Sequence, residues 1–446
     1  MNRTQRRAYK YNKRVAINYR SEEGEVNTPL DVVNEMLDKY PDEVWISPTK
    51  RFVIIEEREG TITREVVKRL LDNGHSASSI KNRVVIITNN TRFYNSLKDC
   101  WPCTFKKGDF LEMSKEERRK LEKGAVVITN PPYQLSDGGH GRSSTALYNK
   151  FIEKILEGEP AHLVAIMPAR WHTGGKGLDD FRKNVLNNDS ISEMTVYRNS
   201  KDCFPNNDIK GGICHFHYDA NYSGDCDVTI VQSGKKSRST TTRKLNQHFE
   251  HCGMFLSEPK EVAIVDKVQK IDKNFMDQEV SSRKPFGLAT NYKSTQKVSS
   301  PSRPIKFYQT KSEGYISKNE LKRNHNWIGD WKVLMPKASD GMSGEDLSIL
   351  GQPIVAPPNS ACSETYLVVG RFDNKQEADN LATYINTKFF RFMVSIIKKT
   401  QDATRKRYSF VPQLSMTKVW TDKLLYARYN LTKDEIDFIE KRIKKR

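Results

Sequence analysis

The chain has 446 residues, of which 37% are hydrophobic, enough for more than one domain with a substantial core. Lysine and arginine number 74 against 55 aspartate and glutamate residues, and the formal charge of +19 favours a polyanionic partner, with nucleic acid as the first candidate. Because the sequence contains neither an apolar run of about 18 residues nor a signal peptide, we expect a cytoplasmic protein with no membrane partner.

The seven cysteines are scattered and odd in number, which is typical of reduced thiols. Cys100 and Cys103 have the spacing of a redox or zinc pair, but no second pair of ligands follows at a suitable distance. His215 and His217 alternate along a predicted strand and should face one side of it together. Without a third ligand they are typical of ordinary strand residues, so we predict no metal site.

Residues 1–25 form a basic arm, which either contacts phosphates or is a solvated tail. Asn27-Thr28-Pro29 then leads into an apolar pattern at helical spacing, with Thr28 predicted as the N-cap. A strand follows at 51–56, and a turn with the single glycine Gly60 leads into a helix at 64–71. This strand, turn and helix are typical of the first unit of a nucleotide-binding fold.

A second strand at 84–87 ends in Thr88-Asn89-Asn90, and Asp109-Phe110 precedes a helix at 115–123. The β-branched run 124–129 then stops abruptly at Asn130-Pro131-Pro132-Tyr133. The two prolines exclude a helix, so an amide, a backbone carbonyl and an aromatic ring are held at the carboxyl end of a strand. In open α/β sheets, ligands bind at that edge.

This tetrapeptide suits chemistry on the amino group of a nucleobase. Such a nitrogen is a poor nucleophile, and acceptors placed at its hydrogens stabilise the positive charge that develops in the transition state. The Asn130 amide oxygen and the Pro131 carbonyl are the candidate acceptors, and Tyr133 would stack on a flipped base. Asn130, Pro131, Pro132 and Tyr133 are therefore the candidate catalytic residues.

Asn-Pro-Pro-Tyr after a hydrophobic strand resembles the signature of DNA adenine-N6 methyltransferases. Residues 25–219 as a whole resemble the gamma-class enzymes of single-chain, type IIG-like restriction-modification proteins. The resemblance implies an S-adenosylmethionine pocket and assigns to it a set of candidate residues: Thr28, Pro29, Glu56, Gly60, Asn89, Asp109 and Phe110. The turn at 56–60 has one glycine and several acids where the family has small residues, so we expect weak or lost cofactor binding.

The glycine-rich loop 137–144 is long enough to cover a flipped base. Basic residues follow the tetrapeptide, and basic and aromatic residues interleave from residue 258 onward, which suits phosphate and base contacts. The candidate DNA contacts are Arg142, Arg170, Lys176, Arg283, Lys284, Lys293, Lys322 and Arg323.

We therefore predict an α/β fold, with a Rossmann-like domain on a mixed seven-stranded sheet and an α+β target-recognition domain. The expected regions are a basic arm (1–25), a catalytic domain (26–250), a DNA-binding domain (251–415) and a helical tail (416–446). The predicted function is methylation of a flipped adenine in double-stranded DNA, with a cognate restriction endonuclease as an implied partner. The alternative is a DNA-binding protein on a methyltransferase scaffold, such as a specificity subunit, a decoy or a user of another donor.

Overall fold

The computed structural model describes residues 27–134, 146–232, 237–338, 349–398 and 402–444. The chain divides into two compact units: the first extends to Phe249 and includes Gly253–Ser257, and the second comprises Glu250–Cys252 and Glu258–Arg446. The predicted basic arm, the loop 137–144 and Arg142 lie outside the described residues. The finer division into four regions stays a prediction.

One mixed sheet forms the centre of the first unit. Its strands are β1 (Phe52–Ile55), β2 (Val84–Thr88), β3 (Thr104–Lys107), β4 (Val126–Thr129), β5 (His162–Pro168), β6 (Ile191–Tyr197), β7 (Ile213–Asp219), β8 (Cys226–Gln232) and β9 (Ser237–Arg243). They are ordered β3-β2-β1-β4-β5-β7-β6-β8-β9, and β7 runs antiparallel to both of its neighbours. The predicted Rossmann-like class is confirmed, and β8 and β9 extend the sheet beyond the seven strands expected.

Helices cover both faces of this sheet. They are α1 (Leu30–Leu37), α2 (Asp42–Ile46), α3 (Thr61–Asp72), α4 (Ala77–Arg83), α5 (Thr91–Leu97), α6 (Lys115–Glu122), α7 (Tyr148–Glu157) and α8 (Asp179–Leu186). Alternate residues of β1 enter different cores: Phe52 and Ile54 pack with α1 and α3, while Val53 and Ile55 pack with α7 and α8. A parallel strand buried on both faces has a continuous apolar run in its sequence. This is why β1 could be predicted from the sequence alone.

Helix α1 is anchored to the sheet through Glu35. Its carboxylate accepts hydrogen bonds from the Tyr197 hydroxyl at 2.7 Å and from Arg238 Nη2 at 2.7 Å, and His215 Nε2 lies 3.3 Å from the other oxygen. Burial alone would raise the pKa of Glu35, but the hydrogen bonds from His215 and Arg238 outweigh it and hold the pKa well below its ordinary value. The start of α1, where Thr28 and Pro29 lie, is thereby fixed relative to the sheet.

The second unit contains two small sheets and a set of helices. The strands are β10 (Ile305–Gln309), β11 (Ser312–Ile316), β12 (Trp331–Pro336), β13 (Ile354–Ala356), β14 (Ser360–Cys362) and β15 (Tyr366–Phe372), ordered β11-β10-β14 and β13-β12-β15. The helices, numbered on from the short α9 (Phe249–Cys252), are α10 (Pro259–Ile271), α11 (Lys375–Asn386), α12 (Lys388–Ile397), α13 (Asp422–Arg428) and α14 (Lys433–Arg442). Within the described ranges, every helix falls short of the length and apolarity needed to cross a membrane.

A buried acid lies at the edge of the first unit's sheet opposite the carboxyl ends of the parallel strands. The Glu122 side chain at the end of α6 is fully buried, and neither carboxyl oxygen has a hydrogen-bond partner among the described residues. Burial raises the pKa of Glu122 to about 9, although the nearby Arg118 guanidinium acts in the opposite direction. The carboxyl packs against Gly158, where an added Cβ would lie 2.0 Å from Glu122 Oε2.

Glu122→Gln should make the first unit more stable than the wild type as the pH rises. The folded state keeps Glu122 protonated up to about pH 9, whereas the unfolded chain ionises it near pH 4.5, so stability is lost between these values. The advantage of the variant should grow by about 1.4 kcal/mol per pH unit across that window. Denaturant unfolding of both proteins at pH 5, 7 and 9 measures it, and a pH-independent difference would contradict the assignment.

Candidate active site

The candidate site lies where the strand order of the sheet reverses. The chain proceeds from β1 to β2 and β3 on one side and to β4 and β5 on the other, so the carboxyl ends of β1 and β4 flank a crevice. Ile55 at the end of β1 is paired with Thr129 at the end of β4, and the Thr129 hydroxyl donates a hydrogen bond to the Ile55 carbonyl at 3.0 Å. Glu56 and Asn130 are the next residues of the two strands and so emerge side by side.

The Asn130 side chain is oriented by Thr28. Asn130 Nδ2 donates a hydrogen bond to Thr28 Oγ1 at 2.9 Å, a contact between residues 102 positions apart in the chain. The prediction that Thr28 caps α1 is wrong, because Pro29 is the N-cap residue and Thr28 lies one position too early to reach the free amides of the first turn. Its hydroxyl instead accepts from Asn130 Nδ2, which leaves Oδ1 as the acceptor end of the amide in this arrangement.

The other three residues of the tetrapeptide differ in how deeply they are buried. Pro131 is buried, Pro132 is half-buried, and Tyr133 is only 6% exposed and belongs to the core cluster on the α1 face of the sheet. The Tyr133 hydroxyl has no hydrogen-bond partner among the described residues, and burial raises the pKa of this phenol well above its usual range. Stacking of Tyr133 on a base stays a prediction, and it requires the ring to leave this core position.

Glu56 is the most unusual acid of the site. Its backbone is left-handed, with φ of 56°, and its side chain is 1% exposed. Neither carboxyl oxygen has a hydrogen-bond partner within the described part of the chain. Burial and the neighbouring Asp109 carboxylate raise the pKa of Glu56 to about 8, and the adjacent Asn89 backbone lowers it. The site therefore contains a buried carboxyl group that is largely neutral at pH 7.

Glu57 and Gly60 stabilise the turn between β1 and α3. The Glu57 carboxylate accepts hydrogen bonds from the Ile62 amide at 2.6 Å and the Thr63 amide at 3.0 Å, which satisfies the free N–H groups that begin α3. Gly60 has φ of 81°, and an added Cβ would lie 2.9 Å from the Leu97 side chain. The turn after β1 therefore needs both residues, whatever ligand it binds.

Asp109 and Phe110 lie in a turn between β3 and α6. Asp109 accepts a hydrogen bond from the Leu111 amide at 2.8 Å and is close enough to Glu56 to raise its pKa. Phe110 is fully buried and stacks on Phe151, with ring centroids 5.8 Å apart. The structure thus places Glu56, Asn89 and Asp109 near one another, whereas the covering of a cofactor by Phe110 stays a prediction.

A narrow pocket opens at this edge, lined by Asn27, Thr28, Glu56, Glu57, Arg58, Glu59, Thr61, Ile62 and Asn130. Three of the predicted residues, Thr28, Glu56 and Asn130, share this pocket. The other lining residues were not among the candidates, although most of them follow directly after Glu56, which was an available signal: Asn27, Glu57, Arg58, Glu59, Thr61 and Ile62. Pro29, Gly60, Asn89, Asp109 and Phe110 do not line it.

The predicted basic residues differ in what they contact. In the first unit, Arg170 and Lys176 are exposed in the segment that follows β5. In the second unit, Arg283 forms an ion pair with Glu364, its Nε donating at 2.7 Å. Arg323 donates hydrogen bonds to the carbonyls of Lys284 at 2.7 Å and of Arg283 at 2.6 Å. A role of either arginine in DNA contact stays a prediction.

Sequence comparisons relate the part of the chain that carries this site to known methylases. The region from residue 38 to residue 204, which includes Glu56, Asp109 and Asn130, matches a model for methylases of restriction-modification systems. That model describes the Eco57I restriction-modification methylase. The resemblance to restriction-modification adenine methylases that was predicted from the sequence is confirmed for this part of the chain.

Individual relatives extend the comparison. An uncharacterized adenine-specific methylase of Mycoplasma pneumoniae is 35% identical over 142 residues, which is 30% of this chain and 33% of the relative. The solved type IIG restriction endonuclease BpuSI has a TM-score of 0.46 at 11% identity, covering 93% of this chain and 62% of that one. The Type ISP restriction-modification enzyme LlaGI, a nuclease-deletion mutant with a DNA substrate mimic, has a TM-score of 0.46 at 10% identity, covering 86% and 46%.

Proposed function

We propose that this protein is a site-specific DNA adenine-N6 methyltransferase that transfers a methyl group from S-adenosylmethionine to a flipped adenine in duplex DNA. The observation that carries the proposal is the juxtaposition of Asn130 and Glu56 at the reversal of strand order, with the Asn130 amide held by Thr28. The match of residues 38–204 to a methylase family supports the same class of reaction. We include a restriction endonuclease partner in the proposal only because that family is one of restriction-modification methylases.

Asn130 and Pro131 act on the adenine amino group. Because Nδ2 of Asn130 donates to Thr28, Oδ1 is the end of the amide that accepts an N–H from substrate, and the Pro131 carbonyl accepts the second N–H. These acceptors stabilise the positive charge that grows on nitrogen as the new bond forms. Neither is basic enough to retain a proton, so the proton of the methylated amino group passes on to water.

The residues of the pocket fit one end of the methyl donor. S-adenosylmethionine supplies an electrophilic methyl group on its sulfonium, and its methionine moiety carries an ammonium group. A buried carboxyl with no cation beside it among the described residues, as at Glu56, suits that ammonium, because pairing compensates the cost of burying either charge alone. Thr28 and Thr61 offer hydroxyl groups on the other walls of the pocket.

The alternative, a DNA-binding protein that has lost this cofactor, is favoured by the same carboxyl. Glu56 must give up its proton before it can pair with an ammonium, and its pKa of about 8 makes this unfavourable near neutral pH. We therefore expect a dissociation constant for S-adenosylmethionine above about 10 μM at pH 7, equivalent to roughly −7 kcal/mol or weaker. Binding that is undetectable at millimolar cofactor, with DNA binding retained, would favour the alternative.

Asn130→Ala should lower the rate of methyl transfer by about two to three orders of magnitude while duplex binding is largely retained, because only an acceptor at the amino nitrogen is removed. Single-turnover transfer of labelled methyl groups into unmethylated genomic DNA measures the rate. Gln134→Ala, an exposed residue just after the tetrapeptide, is the matched control and should keep the wild-type rate. An unchanged rate in Asn130→Ala would remove Asn130 from the mechanism.

Cofactor binding should release a proton from Glu56. Between pH 6 and 7.5, below its pKa of about 8, affinity should rise towards tenfold per pH unit, and close to one proton should be released per cofactor bound. Calorimetry in buffers of different ionisation enthalpy measures the protons, using S-adenosylmethionine and S-adenosylhomocysteine. Glu56→Gln should bind more weakly and release none. Equal proton release by the variant and the wild type would show that another group titrates.

A further inference from the structure

An open recess lies in the second unit, beside the turn that contains Lys284 and Gly287. Its polar lining includes three lysines, two asparagines and one tyrosine: Lys284, Lys293, Lys322, Asn291, Asn319 and Tyr292. All of these side chains except the half-buried Tyr292 are exposed. The recess is therefore open to solvent and carries a cluster of exposed cationic side chains.

The positive charge of the recess is not compensated from within. Glu320 is its one acidic lining residue, and that carboxylate already accepts from the Tyr292 hydroxyl and from the Ser317 amide. Lys293 and Lys322 make no ion pair with any described residue, and Lys284 lies 3.9 Å from Glu364, which is already paired with Arg283. Lys293 and Lys322, which have no counter-charge among the described residues, favour an anionic partner.

The wall of the recess is held in place by the residues behind it. Besides the two hydrogen bonds of Arg323 to the 283–284 carbonyls, Asn324 Nδ2 donates to the Pro285 carbonyl at 2.7 Å. Gly287 has φ of 83°, and an added Cβ would lie 2.6 Å from Lys322 Cβ, so the two segments are in direct contact. Arg323 therefore acts as a positioning residue for the lysines.

Two amides accompany the lysines. The side chains of Asn291 and Asn319 make no hydrogen bond to any described residue, although both line the recess. An asparagine amide can donate and accept at once, and in DNA recognition this matches the N6 and N7 atoms of adenine in the major groove. Lysines instead serve as point charges for phosphates, and phosphate contacts carry no sequence information.

We propose that this recess is a DNA-reading site, in which Lys293, Lys322 and Lys284 contact phosphates of a duplex and Asn291 and Asn319 select the bases. The inference rests on the proposed function and deepens it by naming the side chains that choose the target sequence. It separates residues that set affinity from residues that set specificity. Arg283 and Arg323, which are engaged with protein groups, belong to neither class.

The test uses the full chain carrying Asn130→Ala, so that methylation does not alter the probe. The probes are a duplex DNA library with a randomised central segment and the duplex that this parent protein selects from it. Lys293→Ala and Lys322→Ala should each weaken binding to all duplexes severalfold and reduce the slope of log affinity against log salt by about 0.9. Lys297→Ala, an exposed lysine outside the recess, removes the same charge and should keep the parent slope.

Asn291→Ala and Asn319→Ala should leave the salt slope and the affinity for unselected duplexes unchanged. Each should lose a preference of roughly tenfold or more at one position of the selected sequence. Thermal unfolding equal to that of the parent shows that a variant is folded. Unaltered base preference in both asparagine variants overturns their assignment, and unaltered salt slopes in both lysine variants overturn the recess as the DNA contact.

The outcomes also separate this inference from the proposed function. If the wild type methylates DNA but the recess variants behave like the parent, only the recess assignment fails. If the parent binds no duplex and the wild type transfers no methyl group, the methyltransferase proposal fails as well. Tighter binding of an RNA duplex than of the DNA duplex of the same sequence overturns the assignment of DNA as the partner.

Discussion

The reversal of strand order between β1 and β4 is the constraint on which the candidate site depends. Parallel strands end at the same edge, and the reversal separates the loops that follow β1 and β4, so their first residues face a common crevice. The hydrogen bonds that define the site use this arrangement. Thr129 joins the two strands, and Thr28 reaches Asn130 from the start of α1, which Glu35 holds against the sheet.

Two glutamates of the first unit, the half-buried Glu35 and the fully buried Glu56, ionise in opposite ways. Glu35 is surrounded by Tyr197, Arg238 and His215, so it is stable as an anion despite its burial. Glu56 has no comparable donors, and the Asp109 carboxylate nearby makes ionisation harder still. The first arrangement is complete without a ligand, whereas the second becomes favourable when a cation is supplied. This contrast identifies Glu56, among the acids of the turn after β1, as the one suited to an external partner.

Much of the first unit could be predicted from local sequence. Strands buried on both faces, such as β1 and β4, appear as uninterrupted apolar runs, and the proline pair after β4 marks the strand end and the tetrapeptide together. The fold class and the resemblance to a known family could therefore be predicted from short segments. The extension of the sheet by β8 and β9 was harder to predict from the sequence. The serine- and threonine-rich β9 is exposed at the sheet edge and lacks apolar alternation.

The partners of individual side chains could not be predicted in the same way. Thr28 had a plausible local role as a helix cap, and only the folded chain brings it to Asn130. Arg283 and Arg323 looked equivalent to the lysines near them, yet a distant glutamate and nearby carbonyl groups engage the two arginines. Phe110 was identifiable as apolar but not as a core residue stacked on Phe151. Each case depends on residues that meet only through the tertiary fold.

The contact between Glu122 and Gly158 limits the substitutions that these two positions can accept during evolution. Any side chain at position 158 would overlap the Glu122 carboxyl, while a smaller residue at 122 alone would leave a void beneath the glycine. We therefore expect the two positions to vary together. A residue larger than glycine at 158 should occur with a residue smaller than glutamate at 122. Since both lie at the end of the sheet away from Asn130, such paired exchange would alter the stability of the first unit and leave the candidate site unchanged.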